Sequence, residues 1–324
     1  MQRNAVAAVA IALASALFFT ATYVLNRAMA SGGGHWAWSA SLRYLLTLPM
    51  LAAVMPWQGG FAPVWRALRA HPFVWLGWSG VGFALFCVCL TWAAAFAPSW
   101  LVAGTFQLTV IAGMLLGPLL YRDERARLPR RALALGGVIV AGVALMQGSH
   151  FHGRLDAGAW LALGAVTLAA FLYPLGNRAI LLHLERTGED LNATQRVFGM
   201  TLASQPFWWL VAAYAGHAAG APAPTQVLLA AGVALAAGTI ATILFFQATG
   251  MVRGDPAALG AVEAMQAAEL LFSTALGVLV LGEPAPRGAA AAGAALVVAG
   301  ILGLGLLVGR SAPPPRAARE GPRG

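Results

Sequence analysis

Three tracts of this chain, Ala5 to Val24, Phe73 to Phe96 and Ala257 to Leu281, are long enough for an α-helix to cross a bilayer, and the first two carry no charge. Crossing about 30 Å of hydrocarbon takes roughly 20 apolar residues. A chain built from such tracts cannot cover itself with polar surface: 60% of its 324 residues are hydrophobic, 10% are charged, and the mean hydropathy is +0.74. A water-soluble globular fold is excluded. Gly and Pro within the tracts do not argue against helix, because neighbouring helices in a bundle satisfy the freed backbone groups.

The apolar tracts predict helices over 5–27, 35–55, 72–96, 98–121, 131–148, 156–182, 195–216, 226–250, 257–282 and 288–309. The expected fold class is all-α, a polytopic membrane protein of ten transmembrane helices. Residues 311–324 are rich in Pro and Arg and are expected to form a disordered cytoplasmic tail. The hydrophobic start after Arg3 has the flanks of a secretory signal, but the repeat described below needs it as a permanent helix.

A formal charge of +9 would suit a nucleic-acid partner, yet all 20 basic residues are Arg and most lie in short loops between apolar tracts. That pattern orients helices in a bilayer. With the N-terminus inside, the inner segments hold fifteen Arg and the outer loops three, Arg27, Arg154 and Arg287. Both termini are therefore expected in the cytoplasm, in the cytoplasmic (inner) membrane, with the lipid bilayer as partner and no nucleic acid. Cys87 and Cys89 point to different sides of one helix and make neither a local disulfide nor a metal motif.

Landmarks recur in the same order 151 to 159 residues apart: Asn26-Arg27-Ala28 with Asn177-Arg178-Ala179, Arg43 with Arg196, Gln107 with Gln266, and Val140-Ala141-Gly142 with Val298-Ala299-Gly300. Asn occurs only four times, so two Asn-Arg-Ala matches carry weight. The expected organisation is a first five-helix repeat, 1–150, and a second, 151–310. An odd number of helices per half turns the second half upside down, the inverted-repeat design of many secondary transporters.

The ends of the fourth and ninth helices carry a family likeness, clearest in Leu279-Val280-Leu281-Gly282-Glu283 and the following Gly293 to Gly305. The chain resembles the drug/metabolite transporter superfamily, and its second half most resembles the multidrug-resistance efflux transporter family. The first half departs from the Leu-Gly-Glu ending, reading Leu120-Tyr121-Arg122-Asp123-Glu124 after Pro118. The resemblance implies ten helices in two inverted domains, and export as the direction of transport. Glu124 and Glu283 precede a following helix, where a carboxylate complements its N-terminal dipole.

Of eleven carboxylates only Glu263 and Glu269 fall well inside an apolar tract. Burial favours the protonated form, so such a group can take up and release a proton or pair with a cationic substrate. With Gln266 between them they form a slowly winding strip on one helix; hydrogen bonding between helices is the structural alternative. Helix four has Gly104 and Val110 at the related positions but keeps Gln107, so any proton chemistry is one-sided. Gln107 and Gln247 could read a polar substrate or bond to neighbouring helices.

Asn26 and Asn177, with Arg27 and Arg178, are expected at opposite membrane faces, as gates or as helix-end residues whose Arg reaches the headgroups. Arg43, about eight residues into helix two, and Arg196, at the start of helix seven, could each read a substrate anion, neutralise Glu263 or Glu269, or snorkel to the headgroups, and snorkelling is what is expected of Arg196. Of eleven Trp, most fall near helix ends in the manner of aromatic belts, leaving Trp92, Trp208 and Trp209 as cavity candidates.

These residues point to a secondary transporter of small molecules, with protons as the expected coupling ion, amphipathic or cationic compounds as substrates, and the chain working as a monomer or homodimer. A metabolite carrier of amino-acid-like compounds, with Arg43 reading a carboxylate, is the runner-up. Gly77-Trp78-Ser79-Gly80 resembles an intramembrane protease motif, but the six His lie in loops or at helix ends, away from any role as base. No enzyme activity, cofactor or metal is expected, His150 and His152 lacking further ligands, and no Walker-type loop is present.

Overall fold

The computed structural model describes residues 2–96, 99–148, 157–281 and 285–311. Glu283, Arg154, His150, His152 and the Pro- and Arg-rich tail lie outside them. Among the described residues the regular structure is all helical.

The chain begins with α1 (Gln2–Ser31) and α2 (Trp36–Val54), then passes through a 3-10 turn, Met55–Gln58, to α3 (Ala62–Ala70). Next come α4 (Pro72–Ser79), a π-helical stretch Gly80–Leu85, and α5 (Phe86–Phe96). The following tract is broken into α6 (Ser99–Phe106), α7 (Thr109–Leu115) and α8 (Gly117–Leu120), and leads through a 3-10 turn, Glu124–Ala126, to α9 (Arg130–Gly148). Two long helices follow, α10 (Ala157–Thr187) and α11 (Ala193–Ala219). Then come α12 (Pro224–Val233), a second π stretch Ala234–Ala241, and α13 (Thr242–Met251). The last tracts are α14 (Pro256–Ala264), a 3-10 segment Met265–Ala267, α15 (Ala268–Leu281), and α16 (Ala289–Ser311).

Seven stretches among the described residues are long and apolar enough to cross a membrane: Asn4–Ala30, Trp36–Gln58, Pro72–Ala94, Glu124–Gly148, Ala157–Thr187, Pro224–Met251 and Ala289–Val308. The shorter apolar helix Leu101–Leu115 falls in the tract expected at 98–121. The tracts expected at 195–216 and 257–282 hold α11 and the α14–α15 pair. α11 is long but less apolar, because Thr194, Gln195, Arg196, Thr201, Ser204 and Gln205 are all buried on it. α3 was not expected, being only nine residues long. It turns Val64 and Ala67 inward and leaves Trp65, Arg66 and Arg69 exposed, an arrangement suited to the polar boundary of a bilayer.

The irregular stretches fall at corresponding places. The π stretches start at 80 and 234, and the breaks at Gln107–Leu108 and Met265–Ala267 each contain one of the two repeat-related Gln residues. In the second π stretch, Thr239 and Thr242 hydroxyls donate to carbonyls five residues back, at 3.0 and 2.7 Å, occupying acceptors that the wider helix leaves open.

Helix packing relies on close backbone approach. α9 lies along α16 through Gly142 and Gly293, and α10 crosses the first π stretch through Gly176 and Gly82. A Cβ on Gly176 would stand 2.4 Å from the Gly82 Cα, a backbone atom that cannot swing aside. Gly176→Ala is therefore expected to cost about 1–3 kcal/mol as overpacking, read as a lower thermal midpoint in detergent. Gly164→Ala on the same helix, where a Cβ meets nothing within 4 Å, serves as the control and should leave the midpoint unchanged or higher.

Candidate functional site

α14 begins at Pro256, with the Asp255 carboxylate accepting from the Ala257 and Ala258 backbone N–H groups at 2.9 and 3.1 Å. This cap opens the helix that carries Glu263 into the core. Glu263 is 0% exposed, and Gln266 and Glu269 are also buried, so the expected strip does face the interior. The 3-10 segment that holds Gln266 lies between the two carboxylates and changes their relative bearing from that of a regular helix.

Arg178 donates from Nε and Nη2 to the two carboxylate oxygens of Glu263, at 2.9 and 2.7 Å. The guanidinium is 1% exposed. The sequence expectation puts Arg178 at a helix end, as a gate or reaching for headgroups, with Arg43 or Arg196 as the neutralising partners of the carboxylates. That reading is corrected by the length of α10, which continues for nine residues beyond Arg178 to Thr187. Gly113 on α7 makes room for the pair, since a Cβ there would stand 1.7 Å from Glu263 Oε2.

The pair is braced from the loop between α8 and α9. Tyr121 stands beside the Arg178 guanidinium, and Arg125 lies 4.5 Å from the Tyr121 ring centroid while bonding Glu185 of α10 at 2.7 Å. Arg125 also grips Asp123 at 2.6 Å. Its hydrogen bonds hold the Asp123 carboxyl below the usual carboxylate range. A carboxyl shifted down favours the folded loop above that range, and the contribution fades as pH falls through the lowered value.

Asn177, next to Arg178, is buried and donates to the Thr249 hydroxyl at 3.2 Å, tying α10 to α13, while its Oδ1 has no partner. It is buried inside the bundle. Asn26 is half-buried near the end of α1. Gln107 is buried in the break between α6 and α7, and α7 adjoins the 3-10 segment of Gln266. The Gln266 Nε2 makes no hydrogen bond, leaving a buried donor of the kind that usually has a partner.

Arg43 is half-buried on α2, with its guanidinium 5.6 Å from the Tyr44 ring centroid and its Nε unbonded. Tyr173 on α10 lies within electrostatic reach of Arg43 and Glu269, and its hydroxyl has no partner. Around them runs an aromatic cluster in which Tyr44 stacks on Trp208 at 4.3 Å and Tyr173 on Phe245 at 5.4 Å. Trp208 is buried there, whereas Trp209 is 64% exposed on the outer surface and is no cavity residue. Trp92 is half-buried against Phe96, ring centroids 4.7 Å apart. Trp75, expected in an aromatic belt, is buried inside the first core cluster.

Arg196 does not snorkel. It is 4% exposed, donates from Nη2 to the Phe246 carbonyl, and lies 5.4 Å from the Phe246 ring centroid. It lines a cavity of about 440 Å³ with Asn192, Gln247, Glu189 and Arg253. Gln247 and Asn192 also line a neighbouring cavity of about 340 Å³. The Ser79 hydroxyl is buried without a partner and meets no base among the described residues.

A family model described as "Putative multidrug resistance efflux transporter" (EmrE) matches residues 6–309. The chain belongs to this family. The EmrE family match takes in both sets of tracts and every site residue named above. It points to a membrane transporter of small molecules, with no enzymatic family indicated. A Bacillus subtilis (strain 168) protein named "Uncharacterized protein YjlA" is 43% identical over 283 residues, 85% of this chain and 86% of that protein. A Shouchella clausii protein, "Uncharacterized 42.1 kDa protein in intracellular alkaline protease 3'region", is 39% identical over 276 residues, 83% of this chain and 72% of that one. A solved structure described as "Crystal structure of protein" shares the fold, with a TM-score of 0.72 at 18% identity, covering 94% of this chain and 98% of that one.

Proposed function

We propose that this EmrE-family protein is a proton-coupled secondary transporter that exports small amphipathic or cationic compounds across the cytoplasmic membrane. It works as two inverted five-helix halves, 1–150 and 151–310, with both termini in the cytoplasm. The observation that carries the reading is the pair of buried carboxylates, Glu263 and Glu269, on either side of a break in the helix. Buried ionisable groups are costly and mark ion or proton routes.

The packing supports the inverted halves. α1 packs on α12, α13 and the second π stretch, as α10 packs on α4, α5 and the first. α2 meets α11, α7 meets α14, and α9 meets α16. Exchanging the first five tracts with the last five carries each of these contacts onto another or onto itself. Most of the core therefore joins one half to the other, which is the surface that must slide in alternating access.

A proton placed on Glu263 would remove the charge that Arg178 holds and loosen α14 from α10. Proton uptake and helix separation are thereby linked. Glu269, on the far side of the break, is the candidate for exchange with substrate. The metabolite-carrier reading is favoured at one point, the unbonded Nε of Arg43, which could face a carboxylate.

The test uses proteoliposomes containing the full chain and a trapped pH-sensitive dye. Adding ethidium, an amphipathic cation, or fluorescein, an amphipathic anion, should move protons across the membrane for at least one of them. An imposed pH gradient should then drive that compound uphill. Flux of both dyes that ignores the gradient would overturn proton coupling, and no protein-dependent flux of either would overturn transport of amphipathic compounds.

A further inference from the structure

Two guanidiniums in this protein, one buried (Arg196) and one half-buried (Arg43), have no acidic partner among the described residues. Arg196 on α11 keeps Nη1 unbonded and buried, and Arg43, its counterpart 153 residues earlier, keeps Nε unbonded. Each lies near an aromatic ring, Phe246 or Tyr44, and neither makes an ion pair. A buried donor left open is expensive, the more so on a charged group. Arg196 also borders a cavity of about 440 Å³, within the usual range for small-ligand sites.

We infer that this cavity, between the end of α10, the start of α11 and the end of α13, is a binding site for a singly charged oxyanion, with Arg196 as its principal ligand. Arg196 is fixed by the Phe246 carbonyl and by the absence of a side chain at Gly250, where a Cβ would stand 2.6 Å from Nη2. Arg253 adds a second positive charge to the lining, and Asn192 and Gln247 add amide groups. Glu189 adds one negative charge. Two guanidiniums and one carboxylate leave a net charge that matches a monoanion and disfavours a dianion. Leu184, Leu191 and Met251 supply apolar wall for the rest of the molecule.

The site deepens the transport reading by adding a carboxylate-like group to the substrate. It rests on that reading only in placing the cavity on the transport route. The same chemistry is carried by an anionic lipid headgroup, so the test must separate a dissolved carboxylate from a phosphate diester.

The protein is placed in phosphatidylcholine nanodiscs and its thermal midpoint followed with benzoate, benzamide and benzamidinium, which share a shape and differ in charge. Benzoate alone should raise the midpoint. Arg196→Gln and Gly250→Ala should each need at least about tenfold more benzoate for the same rise, as expected when a buried charge partner is removed or displaced. Gly250→Ala keeps every charge and favours helix, so it reports on the site even where Arg196→Gln folds poorly. With phosphatidylglycerol added, an unchanged benzoate response assigns the site to a dissolved carboxylate. An Arg196-dependent rise that replaces the benzoate response assigns it to the headgroup. Equal shifts with all three compounds, or variants that respond like the parent, overturn the site. So does the lack of any shift with benzoate together with no Arg196-dependent effect of phosphatidylglycerol. Because the readout is binding, it stands or falls independently of proton-coupled flux in liposomes.

Discussion

Arg178→Met, with Glu263 left in place, is expected to destabilise the protein by about 3–5 kcal/mol, the usual cost of stranding a buried charge. Both side chains are almost completely buried and meet through two short parallel bonds. Removing the guanidinium leaves a carboxylate among Gly113, Tyr121 and the apolar residues of α14. Glu263→Leu alone should cost a comparable amount by stranding Arg178. The double variant Arg178→Met/Glu263→Leu should recover much of the loss, because apolar side chains of similar size often replace a buried ion pair at little cost. Thermal or denaturant unfolding in detergent gives the three values. If the double variant loses as much as the two singles together, the side chains are not coupled and the pair is not what joins α10 to α14.

Glu269→Gln is expected to abolish accumulation driven by a pH gradient. Each unit of pH is worth 1.36 kcal/mol per proton, so one unit supports up to about tenfold accumulation for each proton exchanged. The parent should approach that ratio with whichever dye it moves, and Glu269→Gln should only equilibrate it. Glu263→Gln should also lower stability, since it uncouples Arg178. A Glu269→Gln protein that still accumulates its dye to the parent's level under the gradient would remove Glu269 from the proton route. Retained accumulation together with a normal fold in both variants would sink the coupling mechanism itself.

The residues that sequence reasoning placed best were those whose chemistry is unusual for their surroundings. Glu263 and Glu269 stood out because charged residues are scarce inside apolar tracts, and both are buried. The breaks at Gln107–Leu108 and Met265–Ala267 fall at two of the ordered sequence landmarks. Arg178 was missed for the opposite reason. It sits in an Asn-Arg-Ala run resembling that at Asn26, and a sequence cannot tell whether an Arg near the end of a hydrophobic stretch faces water or a carboxylate 85 residues away. Arg196 was misread in the same way, and Trp75, Trp208 and Trp209 were sorted by position along a helix when only the direction of the side chain separates inside from lipid.

Hydropathy, the bias of Arg between loops and the ordered landmarks are properties of the chain read along its length. By themselves they determined an all-helical membrane protein and the two carboxylates deepest in its apolar tracts. Which guanidinium meets which carboxylate depends on distances across the bundle, set by where helices break and which faces turn inward. Only the tertiary structure decided that Glu263 is held by Arg178, while Arg43 and Arg196 have no acidic partner among the described residues. The physical reason is that desolvation and pairing energies depend on three-dimensional neighbours, whereas the preference for crossing a bilayer is a sum over consecutive residues.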